Sequence, residues 1–236
     1  MTRRTDLDRF YELLRELRER VGGYRFLANS TGRMDWPERG VYFFFAREVT
    51  RANDDQPRVC RVGTHAVSVG SGTTLWDRLR SHRGTFRGGH EDGGNHRGSV
   101  FRLRVGEALI DREGLADEYP YWGEGSSAPK EGLRDEEYDM EKRVSFYVRG
   151  MPLLWVEIDD DPGPESDRAY VEQNAIALLS NYRRESLDSR DTRWLGTNSS
   201  SPEIRRSGLW NVNHVEEDYD PAFLDVLERY VGEMGG

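Results

Sequence analysis

Apolar residues recur at three- to four-residue spacing in the first part of the chain, at Leu7, Phe10, Leu14, Leu17 and Val21. That period predicts an amphipathic helix over residues 5–21, with Thr5 as its cap and Gly22-Gly23 as its stop. The run GVYFFFAREV at 40–49 is β-branched and aromatic with apolar side chains on both faces, the pattern of a central strand. A polar hairpin connection follows at 51–57, then a second strand at 58–65. Alternation there places Val59, Arg61 and Gly63 on one side and Cys60 and Val62 on the other. Thr74 and Asp77 stand three apart like a capping box and open a short helix that Gly84 ends. On that helix Leu75 and Leu79 share one face, and Arg78 and His82 share another. Residues 84–98 read as a loop rich in glycine and histidine, 99–105 as a strand, and 107–129 as an irregular acidic insertion. The pattern then predicts a helix at 131–148, a short buried strand LLWVEI at 153–158, and a helix capped by Ser166 or Asp167 and running to Tyr182. Glu172 lies in the middle of that helix. Ser201-Pro202-Glu203 opens a short helix ended by Gly208, and 221–234 is a last amphipathic helix.

Composition narrows the class. A chain of 236 residues with 36% hydrophobic content can bury a sizeable core. One cysteine, Cys60, excludes an internal disulfide and a multi-cysteine zinc site. The longest apolar run, VYFFFA, is far shorter than the roughly 20 residues of a membrane span, so a cytoplasmic protein with no membrane partner is expected. The net charge of −9 argues against a polyanionic partner until its distribution is considered. Between Trp76 and Arg104 stand seven arginines and three acids, with His82, His90 and His96 in the same window. The acids gather elsewhere, which would confine a polyanion to one face of the molecule. Lys130 and Lys142 are the only lysines among 34 basic residues; that skew points to base composition or a salty cytoplasm and assigns no site.

The order of these segments carries a resemblance. Gly40-Val41-Tyr42 on the first strand, Val62-Gly63 ending the second, the helix Thr74-Leu75-Trp76-Asp77-Arg78-Leu79-Arg80-Ser81-His82, and Glu172 after strand LLWVEI together resemble the GIY-YIG nuclease superfamily. The resemblance covers about residues 40–182. It implies an α+β fold with a small antiparallel sheet of about three strands flanked by helices. The whole chain is then one domain, 1–236, with an N-terminal helix at 5–21 and a C-terminal extension at 183–236. It also implies a metal-dependent endonuclease acting on DNA. Glu172 would hold a single Mg²⁺ or Mn²⁺, hard cations that prefer carboxylate oxygen. Tyr42 would be the general base or orient the attacking water. Arg78 would stabilise charge on the phosphoryl oxygens, and His82 would hydrogen-bond the tyrosine or a phosphate oxygen.

Two departures stand out. The second motif of that superfamily carries a tyrosine two residues before its glycine, and Arg61 stands there instead. Arginine cannot act as a base, although it can orient a phosphate; His65, two residues past Gly63, is the candidate for the missing proton transfer. The closing asparagine is not fixed by position: Asn181, Asn211 and Asn213 are the candidates. In the loop GGNHRGS, His96 and Arg97 between glycines could approach a phosphate, or could simply belong to a flexible loop. The sequence therefore carries two functions, a DNA endonuclease and a catalytically inactive module of the same fold that binds nucleic acid or protein.

Overall fold

The computed structural model describes residues 2–51, 56–125, 132–188 and 191–235. In chain order its elements are α1 (Arg3–Arg20), β1 (Gly40–Thr50), β2 (Pro57–Gly63), α2 (Leu75–Arg83), α3 (Val100–Glu113), α4 (Leu133–Glu136), α5 (Tyr138–Arg149), β3 (Leu153–Glu157), α6 (Asp167–Leu179), α7 (Pro202–Ser207) and α8 (Phe223–Glu233). The three strands form one antiparallel sheet in the order β2-β1-β3. The sheet is flanked by helices on both faces, the α+β arrangement expected from the sequence.

The double-sided apolar pattern of β1 has a direct structural cause. Val41, Phe43 and Phe45 enter a core shared with α1, α6 and α8, whereas Tyr42, Phe44 and Ala46 enter a second core shared with α2, α3 and α5. A middle strand with a helical layer on each side has no face left for water, so both sets of side chains must be apolar or internally paired. The simple alternation expected for β2 fails. Phe44 pairs with Arg61 but Phe45 pairs with Val59, so Cys60 is the extra residue of a bulge. Cys60 therefore joins the core of Tyr42 and Phe44, while Val59 and Val62 join the opposite one.

Local signals at the helix starts were mostly sufficient. Thr74 forms the complete capping box with Asp77, Ser166 caps α6, and Ser201 with Pro202 opens α7, which Gly208 ends at φ 81°. The cap of α1 is Thr2 rather than Thr5: the Thr2 hydroxyl accepts from the Thr5 amide. The strand expected at 99–105 is instead the start of α3, capped by Ser99, whose hydroxyl accepts from the Arg102 amide. Phe101, Val105, Ala108 and Leu109 bury one face of this helix, which also takes in the first part of the expected irregular insertion. The helix expected over 131–148 is two pieces, α4 and α5, separated at Glu137. Residues 52–55 of the hairpin connection, 126–129 of the insertion, and 130–131 at the expected start of the next helix lie outside the described residues. Among the described residues no helix is long and apolar enough to cross a membrane.

One buried network fixes α2 against this frame. Arg102 is fully buried and donates to the Glu141 carboxylate, the Glu141 carbonyl (3.0 Å), Ser145 Oγ (2.9 Å) and the carbonyl of His82 (2.9 Å). Glu141 also accepts from the ring Nδ1 and the backbone amide of His96. Burial alone would raise the Glu141 pKa, but the His96 hydrogen bond and the Arg102 charge outweigh it and bring it down to about 2. This carboxylate therefore stabilises the fold fully above its ordinary pKa of 4.5, and that contribution is lost as the pH falls towards 2. Replacing Glu141 by Ala leaves Arg102 buried without its counter-charge and is expected to cost about 3–5 kcal/mol in urea unfolding. A Glu141→Gln variant should show a shallower loss of stability across the same acid window.

Candidate active site

The site is assembled at one end of the sheet. Tyr42 on β1 faces Gly63 on β2 across the antiparallel ladder. A Cβ at position 63 would overlap the Tyr42 hydroxyl, so the glycine is required by the phenol opposite it. Gly40, two residues earlier, is held in the same way, because a Cβ there would overlap the carbonyl oxygen of Val156 on β3.

The Tyr42 hydroxyl meets His82 Nε2 of α2 at 2.9 Å, and His82 Nδ1 meets Ser99 Oγ at 2.8 Å. Tyr42 and His82 are both 0% exposed. The imidazole stands edge-on to the rings of Tyr42, Phe44 and Phe101. Burial pushes its pKa well below 6.5, and the charges of Arg61, Arg78 and Arg102 push it further the same way. His82 is therefore a neutral ring with one donor and one acceptor nitrogen, which gives the row Tyr42, His82, Ser99 a direction.

Glu172 approaches the same end of the sheet from α6. Its side chain is half-buried, and Oε1 accepts from the Thr64 amide at 3.1 Å. The Thr64 hydroxyl in turn donates to the carbonyl of Gly40 at 2.8 Å, so the carboxylate is registered to the first residue of β1. Burial raises the Glu172 pKa, opposed by Arg61, the Thr64 hydrogen bond, His214 and Arg78. Arg61 and Arg78 thus act electrostatically on both His82 and Glu172. The Arg78 Nε is buried without a hydrogen-bond partner.

Arg61 lies on the Tyr42 face of β2, over the Phe101 ring at 4.7 Å, and donates to the carbonyl of Trp210 at 3.1 Å. His65 is placed less suitably for proton transfer. Its Nε2 lies 3.2 Å from the Glu38 carbonyl, which only accepts, so that nitrogen carries the proton. Nδ1 is buried without a partner. Burial, with the Arg168 charge next in size, lowers the His65 pKa to about 4. Such a ring is a weak base at neutral pH.

The remaining sequence candidates are not gathered here. His96 gives Nδ1 to Glu141, accepts from the Gly123 amide at Nε2 and stacks on Trp122 at 3.8 Å. Arg97 is held by Glu137 and by the carbonyls of Glu124 and Tyr121. Both side chains are engaged inside the fold, so neither is free to approach a phosphate as the first of the two expectations for this loop required. Asn181 clips its own turn, accepting from the Leu187 amide (3.2 Å) and donating to the Asp188 carbonyl (3.0 Å). Asn211 pairs with both the amide and the carbonyl of Val62, at 3.1 and 2.8 Å, so it braces β2 beside Gly63. Asn213 is exposed. Two residues that the sequence reading left out touch the site, Thr64 and Ser99, and His214 acts on Glu172 through its charge. Ser99 could have been found as a helix cap, since it immediately precedes an apolar run.

The GIY-YIG domain family matches residues 1–235. The chain belongs to the GIY-YIG domain family. Comparison with curated proteins and with solved structures gave no match. Within a GIY-YIG domain, Glu172 is the residue to test as a metal ligand. No group of three His, Cys, Asp or Glu side chains suited to a metal occurs among the described residues. Nor does Glu172 form an ion pair there; its Oε1 meets one amide, and burial destabilises its charged form. A half-buried carboxylate without a contacting counter-charge fits a hard cation that keeps several of its own waters.

Two measurements check this geometry. Gly63→Ala is expected to lower stability by about 1–3 kcal/mol in urea unfolding, because the added methyl displaces the phenol. His65 and His82 both have folded-state pKa values below the ordinary 6.5. The stability that they contribute is therefore complete above about pH 6.5 and is lost as the pH falls. Ring-proton NMR should show His65 titrating near pH 4 and His82 silent between pH 6.5 and 8.

Proposed function

We propose that this GIY-YIG domain is an endonuclease that hydrolyses DNA phosphodiester bonds in the cytoplasm, with Tyr42, His82, Arg78 and Glu172 as its working residues. The observation that carries the reading is the hydrogen bond between Tyr42 and His82, set where the charges of Arg61 and Arg78 act on both the imidazole and the Glu172 carboxylate. With Ser99 accepting from His82 Nδ1–H, Nε2 is left to accept from the Tyr42 hydroxyl. Tyr42 Oη, its own proton held by His82 Nε2, accepts a hydrogen bond from the attacking water and orients it, and the proton that the water gives up passes to solvent. The water oxygen bonds to phosphorus while the bond to the leaving oxygen breaks, and that oxygen takes its proton from solvent. Arg78, with Arg61 beside it, offers donors to the non-bridging oxygens as charge builds there. Glu172 would hold Mg²⁺ or Mn²⁺, which supplies Lewis-acid stabilisation when bound. Treating 1–236 as one functional unit is supported by α1 and α8, which complete the core on one face of the sheet.

A second reading rests on a different observation. Tyr42 and His82 are both fully buried, and Arg61 is buried where the superfamily carries a second tyrosine. Those features favour a module that recognises nucleic acid or protein without cutting.

Incubation with Mg²⁺ or Mn²⁺ on supercoiled, linear and branched DNA separates the two. For the nuclease, Tyr42→Phe should slow cutting by about 10²–10⁴-fold and Arg78→Ala by about 10²–10³-fold. Glu172→Ala should abolish cutting while DNA affinity is retained. Binding without cutting on every substrate by the unaltered protein would establish the second reading.

A further inference from the structure

The arginines around α2 are divided by the helix itself. Leu75, Leu79 and His82 face the core, whereas Trp76, Arg80 and Arg83 line an open groove on the outer flank. This groove has a volume of about 870 Å³, within the range of roughly 300–1,000 Å³ typical of ligand pockets, and is much larger than a single ion needs. Arg33, Arg87 and Arg134 complete its basic lining, against one carboxylate, Asp77. Asp77 is already paired with Arg80 at 3.2 Å. Arg33, Arg87 and Arg134 are exposed and unpaired with any carboxylate among the described residues.

Arg83 shows that the groove is built to hold positive charge. Its guanidinium lies 4.9 Å from the centre of the Trp76 ring and 4.2 Å from that of Phe86, and one terminal nitrogen donates to the Ser30 carbonyl at 2.7 Å. The Nε of Arg83 is buried with no partner. Arg149 packs on the same Phe86 ring at 4.1 Å. Burial first, then the charges of Arg149 and Arg80, lowers the Arg83 pKa. A chain of net charge −9 thus gathers like charges in one groove, with an unused buried donor and a single lining carboxylate, Asp77, that is already paired. Crowding of this kind is relieved by a bound polyanion.

We propose that the groove on the outer flank of α2 is a second anion site, a track for the phosphate backbone of one nucleic-acid strand running along the helix that carries Arg78 and His82. The substrate class rests on the nuclease reading above; the site rests on the groove. Arg83 and Arg80 would be the fixed contacts near α2, with Arg33, Arg87 and Arg134 gripping successive phosphates along the strand. A strand held there passes within about one helix diameter, on the order of 10 Å, of His82.

The test uses the full chain with EDTA present, so that binding is read without cutting. Fluorescence anisotropy of a fluorescein-labelled oligodeoxynucleotide of about 20 nucleotides, single-stranded and duplex, is followed between about 50 and 200 mM salt. The triple variant Arg33→Ala, Arg87→Ala, Arg134→Ala alters only exposed side chains, and an unchanged melting temperature confirms its fold. It should lose at least about tenfold in affinity, and the log–log salt slope should shrink by about 2–3, as removal of three phosphate contacts requires. A control triple, Arg112→Ala, Arg143→Ala, Arg193→Ala, changes net charge equally away from the groove and should bind like the parent. Unchanged binding by the groove variant, an equal loss in both triples, or no binding of either probe by the parent would overturn the proposal. Cutting with groove-independent binding removes this inference and leaves the nuclease reading standing; groove-dependent binding without cutting does the reverse.

Discussion

Tyr42 has room for its hydroxyl because the residue facing it across the sheet carries no side chain, and the rest of the site is arranged around that allowance. With Gly63 opposite, the phenol reaches His82 on α2. Once that hydrogen bond is made, the imidazole must present its other nitrogen to Ser99, the cap of α3. Gly40 performs the same service on the other side of β1, admitting the backbone of β3. The two glycines that mark the family in sequence are therefore close-approach positions in the strand trio, and their meaning is steric before it is chemical. A larger residue at either would separate the strands that bring Tyr42 and Thr64 to the same end of the sheet.

Arginine serves two purposes in this chain. Buried arginines act as staples: Arg102 ties α2 to α5, Arg168 ties α6 to the carbonyl of His65, and Arg58 reaches the carbonyl of Gly208. A planar guanidinium with five donors can satisfy several carbonyls at once, which a lysine cannot do as well. Desolvating such a group is costly, and its partners must all be in place for it to stabilise the fold. Arg33, Arg87 and Arg134, exposed along the groove beside α2, differ, since none pairs with a carboxylate among the described residues. The even arginine skew of the sequence hides this division, which only burial reveals.

Much of the frame was legible in the chain. The two-faced strand at β1, the capping box before α2, the Ser-Pro start of α7 and the lone carboxylate on α6 follow from local chemistry and periodicity. What was not legible depends on partners far away in sequence. The bulge at Cys60 arises from pairing with β1 and turns the expected alternation of β2 over. Residues 99–105 carry β-branched and aromatic side chains that suit a strand, but Ser99 as a cap and the burial of Phe101 and Val105 on one helical face decide otherwise. His96 and Arg97 sit between glycines like a mobile phosphate loop, yet Glu141 and Glu137, some forty residues on, fix them in place. Asn181, the candidate closing residue nearest in sequence after Glu172, has its amide consumed by its own turn.

Both outer strands of this small sheet are covered along part of their length. Arg25 exchanges backbone hydrogen bonds with Leu153 on β3, and the stretch through Trp210 and Asn211 lies along β2, using the side-chain amide of Asn211 in place of a peptide group. A three-stranded sheet whose rims were bare would be a template for strands from other molecules. The tail beyond α7 thus covers an edge that would otherwise be open to pairing, as well as packing against the sheet. If it were peeled away, the donors and acceptors of Cys60 and Val62 would face solvent beside the Tyr42 end of the sheet, where an unfolded neighbour could add itself as a fourth strand.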